Sequence, residues 1–100
     1  MKFLLTAIDL SPVPPENVLS LNQAARDWIK QKLSDGTIEC VYGFVEGLGI
    51  AIVNANSHEE LAEVLYAYPL NPFTTFDIKP LVDLVWVLDK NIEMIQKQSS

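Results

Sequence analysis

Four segments of this chain carry apolar residues at consecutive positions, where a strand with one wet face would alternate apolar and polar residues. These segments are Phe3–Ile8, Ile38–Val45, Leu48–Ala55 and Phe76–Leu84. Successive side chains of a strand point to opposite faces of the sheet, so strands of this kind are apolar on both faces. The pattern therefore predicts a sheet whose two faces are both covered by protein.

Helical spacing occupies most of the chain between and after these strands. Helices are predicted over residues 16–34, 57–68 and 85–96. In each of them apolar residues recur every three or four positions.

The first helix ends just before Gly36, which can take the left-handed conformation on which helices often end. The second opens with a capping box, in which the Ser57 hydroxyl accepts the Glu60 amide and the Glu60 side chain reaches back. Its predicted buried stripe ends at Tyr68.

A β-hairpin is predicted around Glu46-Gly47, since a two-residue turn with glycine second suits the twist of paired strands. This turn places Tyr42 opposite Ala51 on one face of the hairpin and Val41 opposite Ile52 on the other. Large residues then face small ones on the Tyr42 side, which leaves room for a packed partner or a small cavity. A slip of one residue reverses the two faces.

The elements follow the order strand, helix, strand, strand, helix, strand, with a terminal helix after them. This is the order of the ferredoxin-like β-α-β-β-α-β motif, an α+β fold whose helices cover one face of an antiparallel sheet. We expect a single domain over residues 1–100. Each large apolar side chain left in water on the other face forgoes about 1.5–3 kcal/mol, so we expect two copies to join these faces as a dimeric α/β barrel. The apolar tail, residues 85–95, offers a further contact through which this homodimer can grow into a higher oligomer.

Short motifs along the chain resemble those of one protein family. They are Ser57-x-x-Glu60-Leu61, Tyr68-Pro69-Leu70-Asn71-Pro72-Phe73, Phe76-Asp77-Ile78 and, after the first helix, Gly36-Thr37. Together they resemble the muconolactone isomerase-like group of dimeric α/β-barrel proteins, in which a helix ends in Leu-Pro-Leu-x-Pro-aromatic and leads into a strand carrying Asp-Ile. The resemblance implies that fold, and a cofactor-free proton shift within an unsaturated lactone. The apolar C-terminal segment of this chain departs from the short polar tail of the group.

Composition excludes several classes of partner. The chain is 49% apolar and 20% charged, with a net charge of −6, and its seven basic residues are scattered. Nucleic-acid binding depends on clustered Lys and Arg, so no nucleic-acid partner is expected. No apolar run reaches the ~20 residues that cross a bilayer, so no membrane partner is expected either. The one cysteine, Cys40, forms neither an internal disulfide nor a metal site unaided, which fits a reducing cytoplasm.

Polar residues on the strands, together with one tryptophan of the first helix, are the candidates for chemistry and ligand binding. The candidate catalytic residues are Tyr42, Glu39 and Asp77, and the candidate ligand-binding residues are Asn54, Cys40 and Trp28. A carboxylate held between apolar walls has a raised pKa and can carry a proton, which is why Glu39 and Asp77 are included. Tyr42 can point its hydroxyl into a pocket, and Glu39 is expected to pair with Asn54 across the hairpin. Packing in a core, or contact with water at a strand end, is the structural alternative for each.

More than one function is consistent with these residues. The first is a small cofactor-free isomerase acting on a small organic molecule, or a monooxygenase-like variant of it, with a cavity that holds Tyr42, Glu39 or Asp77. The second is a non-catalytic ligand-binding or oligomeric interaction module with a packed interior. A haem-handling role is weaker, because the only histidine, His58, lies in a helical first turn expected to be exposed, and no second His or Cys lies nearby for a metal. No cofactor is expected.

Overall fold

A computed structural model describes residues 1–99 of the protein as one four-stranded sheet with three α-helices. In chain order the elements are β1 (Lys2–Leu10), α1 (Val18–Ser34), β2 (Ile38–Gly43), β3 (Gly49–Asn54), α2 (His58–Ala67), β4 (Thr74–Leu81) and α3 (Leu84–Ser99), with 3₁₀ turns at Pro15–Asn17 and Asn71–Phe73. All the predicted elements are present. The fourth strand ends at Leu81, three residues earlier than predicted. It ends there because Asp83 opens α3, and its carboxylate accepts the Val85 amide at 3.0 Å.

The strands lie in the order β2-β3-β1-β4, and each neighbouring pair is antiparallel. Strand β1 pairs with β4 along its whole length, from Lys2 with Leu81 to Leu10 with Thr74. This order and these directions are those of the ferredoxin-like motif. The predicted α+β fold is therefore confirmed.

Helices α1 and α2 pack against one face of the sheet, hereafter the helix face. The buried apolar residues of this core are Phe3, Leu5, Ile38, Val53, Ala55 and Leu61. Trp28 of α1 and Val64 of α2 pack against them from the helical layer. Helix α2 starts as predicted: the Ser57 hydroxyl accepts the Glu60 amide at 3.1 Å, and the Glu60 carboxylate accepts the Asn56 amide at 3.2 Å.

The opposite side of the sheet, hereafter the open face, is mostly apolar on β1, β2 and β3 and charged on β4. Its residues are Leu4, Thr6, Cys40, Tyr42, Ile50, Ile52, Asp77 and Lys79. Cross-strand partners project from the same side of a sheet, and these residues alternate with helix-face residues along each strand. Leu4, Ile50 and Ile52 are half-buried by their neighbours within the sheet, whereas Tyr42 is 67% exposed. The two-faced apolar character predicted for the strands is confirmed on β1, β2 and β3, whereas it is wrong on β4, where Asp77 and Lys79 occupy the open face.

The predicted register of the β2–β3 hairpin is wrong by one residue. Tyr42 pairs with Ile50 rather than with Ala51, and Val41 pairs with Ala51 rather than with Ile52. Because the side-chain period of a strand is two, this slip moves Tyr42 to the open face and leaves Ala51 on the helix face.

A longer turn and a bulge produce this register. Residues 44–48 join the strands where a two-residue turn was predicted, with Gly47 at φ 110° and Leu48 at φ 65°. The Phe44 amide donates to the Leu48 carbonyl oxygen at 2.9 Å and closes the turn. At the start of β2 the register shifts by one around Glu39, which is the extra residue of a β-bulge.

Helix α3 extends away from the rest of the protein. The principal axes measure 67 × 28 × 22 Å and the Cα radius of gyration is 17.6 Å, against about 13 Å for a compact domain of this length. Large apolar side chains of α3 are 50–67% exposed, and they include Leu84, Val85, Trp86, Leu88, Ile92 and Met94. The predicted terminal helix is present, and it presents this apolar surface to solvent. No helix within residues 1–99 combines the length and the hydropathy needed to cross a membrane.

Candidate functional site

A pocket of about 380 Å³ lies between the helix face of the sheet and the helical layer. It is lined by Leu5, Ala7, Leu10, Trp28, Ile29, Ile38, Val41, Tyr42, Gly43, Leu48, Gly49, Ile50, Ala51, Val53, Val64, Leu65, Tyr68, Leu70, Thr74 and Phe76. This volume is within the range of small-molecule sites, which are mostly apolar with a few placed polar groups. The structure therefore contains a cavity of the size of small-molecule sites, but neither Glu39 nor Asp77 lines it.

The floor of the pocket is formed by side chains that become smaller along the sheet. Near the start of β1, the residues that pair across the strands are large and fully buried: Phe3, Val53 and Ile38. The next row of paired residues is Leu5, Ala51 and Val41. Beyond it, Ala7, Gly43 and Gly49 contribute at most a methyl group. The space between sheet and helices is therefore filled at one end of the sheet and empty toward the β2–β3 turn.

Aromatic side chains form one wall above this floor. The Tyr68 ring lies 5.4 Å from the Trp28 ring and 6.1 Å, edge to face, from the Phe76 ring, measured between centroids. Such offset and edge-to-face arrangements hold rings in fixed orientation. The wall is therefore an aromatic surface to which Tyr68 also brings a hydroxyl group.

Two hydroxyl groups supply complementary hydrogen-bonding capacity at the pocket. Burial raises the pKa of Tyr68, so its hydroxyl stays protonated and can donate a hydrogen bond at neutral pH. The Thr74 hydroxyl already donates to the Leu70 carbonyl oxygen at 2.8 Å, which leaves its lone pairs to accept. A ligand that offers one acceptor and one donor matches this pair.

Among the described lining residues, none is an aspartate, glutamate, lysine, arginine or histidine. Moving a charged group from water into such surroundings costs much free energy unless a counter-charge is present. The described lining therefore offers no counter-charge to a charged ligand.

The structure places only some of the predicted site residues at the pocket. Trp28 and Tyr42 contribute to the pocket lining, although the Tyr42 side chain belongs to the open face. Cys40 and Asp77 lie on the open face, and Asp77 is 4.0 Å from Lys79. Neither Cys40 nor Asp77 therefore lines the pocket.

Glu39 and Asn54 do not form the cross-strand pair that was predicted. Asn54 projects beside Lys2, and its amide group accepts from the Lys2 ammonium at 3.4 Å and donates to the Gly36 carbonyl oxygen at 3.1 Å. Glu39, displaced by the bulge, forms an ion pair with the same ammonium. Lys2 therefore links the two residues at the end of the sheet that is remote from the pocket.

Sequence reasoning missed Tyr68 and Thr74 as site residues. The available signal was the position of Tyr68 at the end of the predicted buried stripe of α2, since a buried tyrosine brings a hydroxyl into apolar surroundings. His58, as expected, is exposed, and its ring meets the edge of Phe3 at 5.9 Å. Within residues 1–99 no group of three or more His, Cys, Asp or Glu residues is placed to hold a metal ion.

Comparison with solved structures identifies two proteins of the same architecture. Muconolactone isomerase aligns with a TM-score of 0.76 and 19% identity, over 83% of this chain and 90% of its own. The 5-chloro-2-hydroxyhydroquinone dehydrochlorinase from Burkholderia phenoliruptrix AC1100, solved in complex with 2,5-dihydroxybenzoquinone, aligns with a TM-score of 0.55 and 12% identity, over 82% of this chain and 94% of its own. No family model and no curated protein matches the sequence. The resemblance seen in the sequence is thus confirmed at the level of structure: this chain has the ferredoxin-like fold of muconolactone isomerase.

Proposed function

We propose that this protein binds a small, uncharged, oxygen-bearing ring compound in the pocket and promotes a proton shift within it without a cofactor. The observation that carries the proposal is the pocket itself, about 380 Å³ of apolar and aromatic lining with the hydroxyls of Tyr68 and Thr74 as a donor and an acceptor. The likeness to muconolactone isomerase and to a dehydrochlorinase solved with a quinone supports a cyclic ligand.

The Tyr68 hydroxyl is the group that can promote the shift. When a proton leaves the carbon next to a carbonyl group, negative charge develops on the carbonyl oxygen. A donor held at that oxygen in apolar surroundings stabilises the charge more than it stabilises the ground state. Thr74 accepts from a ligand hydroxyl and orients the ring. The carbon proton is lost to a base in the solvent at the open end of the pocket, and another carbon of the ligand takes up a proton from the solvent, so that the net reaction is an isomerisation.

A binding experiment tests the first half of the proposal. The protein is titrated with unsaturated lactones and hydroxylated quinones, each beside its carboxylate-bearing analogue, and binding is followed by ligand-observed NMR. We expect the uncharged compounds to bind at least about tenfold more tightly than the charged ones, because no counter-charge lines the pocket. Equal affinity for both sets, or no binding by either set, would reject the proposed pocket.

Proton exchange tests the second half. A bound ligand in D₂O should lose its acidic C–H signal faster with the wild-type protein than with Tyr68→Phe, while Trp86→Phe, on the distant helix α3, should leave the rate unchanged. A rate that is the same for wild type and Tyr68→Phe would remove Tyr68 from the chemistry.

A second candidate function is non-catalytic binding of the same class of ligand. It is favoured by the lack of a carboxylate or imidazole among the described lining residues, since these are the usual general bases in proteins. Tight binding of a ring compound without any acceleration of C–H exchange would select this candidate.

The homodimer expected from the sequence is also part of this proposal. The open face carries Leu4, Ile50 and Ile52 at its centre, and joining two such faces removes their remaining apolar surface from water. In such a dimer the pockets lie on the outer, helix-covered sides of the paired sheets. Each pocket then remains accessible to ligand.

A further inference from the structure

We propose that Lys32 is a positioning residue for the pocket: its ammonium group holds the Trp28 ring in place, and through that ring the Tyr68 hydroxyl. The inference rests on the proposed function, because it explains what keeps the aromatic wall of the same pocket in its geometry. Lys32 itself is not among the described lining residues. It lies one helical turn beyond Trp28 on α1 and acts through that side chain.

Lys32 contacts Trp28 along one side of helix α1. The two residues are four positions apart, a spacing that brings side chains together on a helix. The Lys32 Nζ lies 5.8 Å from the centroid of the Trp28 ring, within the range in which the negative face of an aromatic ring attracts a cation. Trp28 therefore has the ammonium group as one neighbour and the Tyr68 ring, 5.4 Å away, as another.

The side chain of Lys32 is more buried than is usual for a lysine. It is 25% exposed, whereas the other lysines with described ion pairs are 49–78% exposed. Ordering a long lysine side chain costs conformational entropy, which is offset where its stem covers apolar surface and its charge has partners. Trp28 and Asp35 supply these partners, so this lysine has a defined place in the fold.

Asp35 fixes the charged end of Lys32. Its Oδ2 lies 3.8 Å from the Lys32 Nζ. Hydrogen bonds from the Thr37 side chain and from the Thr37 amide, which donates to Oδ1 at 2.9 Å, lower the pKa of Asp35 below its ordinary value of 3.8, so the carboxylate is ionised at neutral pH. The Thr37 carbonyl oxygen in turn accepts the Asn54 amide at 2.8 Å. The ammonium group is therefore tied to the sheet as well as to its own helix.

The contacts continue from Trp28 to the hydroxyl in the pocket. The Trp28 ring packs against Tyr68, and the Tyr68 ring meets Phe76 of β4 edge to face at 6.1 Å. A turn of the Trp28 ring would carry the Tyr68 hydroxyl with it, and a displacement of about 1 Å at a reacting group can cost about 100-fold in rate. Lys32 therefore acts on the wall that a ligand contacts and on the donor that the proton shift needs.

Removal of the charge from Lys32 tests this role. Lys32→Met keeps an unbranched, flexible side chain that helices accept equally well, and it removes the ammonium group. Lys32→Arg keeps a cation that stacks on aromatic rings and pairs with carboxylates. Lys30→Met, at an exposed position of the same helix, is the matched control. All variants carry Trp86→Phe, so that Trp28 is the only tryptophan, and Trp86→Phe alone is the reference protein.

Near-ultraviolet circular dichroism reports the ring positions without any ligand, because its signal requires aromatic side chains in fixed packing. We expect Lys32→Met to lose much of the Trp28 band with an unchanged far-ultraviolet spectrum. Lys32→Arg should restore the band, and Lys30→Met should retain it. A reference-like band in Lys32→Met, or the same loss in Lys30→Met, would overturn the proposal.

Binding and exchange show whether the ring positions matter to the site. Lys32→Met should bind the best uncharged ring compound about threefold to tenfold more weakly than the reference protein, which is what a cation–π contact is worth in an affinity. At saturating ligand in D₂O it should also slow the C–H exchange of the bound compound. Lys32→Arg should return both values to within about twofold of the reference. Lack of recovery with arginine would contradict a role of the charge.

The two proposals fail separately. If the reference protein binds no ring compound, the proposed function is overturned, and the circular dichroism spectra alone decide whether Lys32 positions the rings. If the reference protein binds and Lys32→Met matches its affinity and exchange rate, the proposed function stands and Lys32 has no role in it.

Discussion

Gly49 passes so close to Tyr42 that a methyl group on its Cα would lie 2.4 Å from the Tyr42 carbonyl oxygen. The neighbouring Cα of Gly43 would be 3.1 Å away. These atoms belong to the main chain of a paired strand, which has little room to move. The glycine is therefore required by the approach of the two strands, and the empty pocket floor above it follows from the same requirement.

Gly49→Ala should destabilise the protein by about 1–3 kcal/mol, because the added methyl group forces apart the backbones of β2 and β3. Gly43→Ala is the matched control: its added Cβ would meet its nearest neighbour, the Leu48 carbonyl oxygen, at 3.6 Å, an ordinary contact. The free energy of unfolding measured in urea should fall for the first variant and stay within about 0.5 kcal/mol of wild type for the second. Equal losses in both would mean that strand approach is not the cause.

The fold could be predicted from the sequence because its signals are local. The Ser57 capping box, the prolines that follow α2 and the two-faced strands each report on their own segment. The hairpin register could not be predicted, because it depends on the left-handed conformation of Leu48, a residue type that rarely adopts it. The bulge at Glu39 likewise has no glycine or proline to mark it.

The site was harder to predict than the fold because it depends on that register. Ala7, Gly43 and Gly49 come from three strands, and they form one floor only when β2 and β3 pair as they do. With the register slipped by one, Tyr42 belongs with the cavity and Tyr68 is only another core residue. The wrong prediction of the turn therefore led to Tyr42, and not Tyr68, being chosen as the candidate residue.

Ala51→Leu should weaken ligand binding while preserving the fold. The side chain of residue 51 lies on the pocket floor between Leu5 and Val41, so a larger residue fills existing empty space rather than displacing packed atoms. We expect the affinity for the best ring compound to fall about tenfold or more. The unfolding free energy should be equal to or above that of the wild-type protein.

Ile52→Leu is the control for this experiment. Residue 52 is the next position on β3 and projects from the open face, so the change leaves the pocket unaltered. Loss of binding in both variants would show that the ligand does not occupy the pocket between sheet and helices.

Tyr68 should make the stability of the protein fall at alkaline pH. Its pKa is raised by burial above the ordinary value of 10.0, so the folded protein holds this proton more tightly than the unfolded chain does. The corresponding stability is fully present below pH 10 and is lost as the pH rises through the folded-state pKa. Urea unfolding of wild type and Tyr68→Phe between pH 8 and pH 11 measures the difference.

The unfolding free energy of the wild type minus that of Tyr68→Phe should stay constant up to about pH 10 and then decrease as the pH rises further. Tyr66→Phe is the control, because that side chain is 76% exposed. A difference that does not change with pH would mean that the Tyr68 hydroxyl reaches water in the folded protein.

Ile52→Lys should dissociate the proposed homodimer into monomers. Ile52 lies at the centre of the open face, paired with Leu4 on one side and Cys40 on the other, so two-fold contact of these faces would bury its side chain. An ammonium group placed there must be desolvated without a partner on association, which opposes the contact strongly. In the separated subunit the lysine meets water, so the fold is preserved.

Light scattering at micromolar concentration should show the mass falling toward that of one 11.2 kDa chain, whereas Gln23→Lys on the exposed side of α1 should leave it unchanged. If Ile52→Lys kept the wild-type mass, the open face would not be the surface that joins the copies.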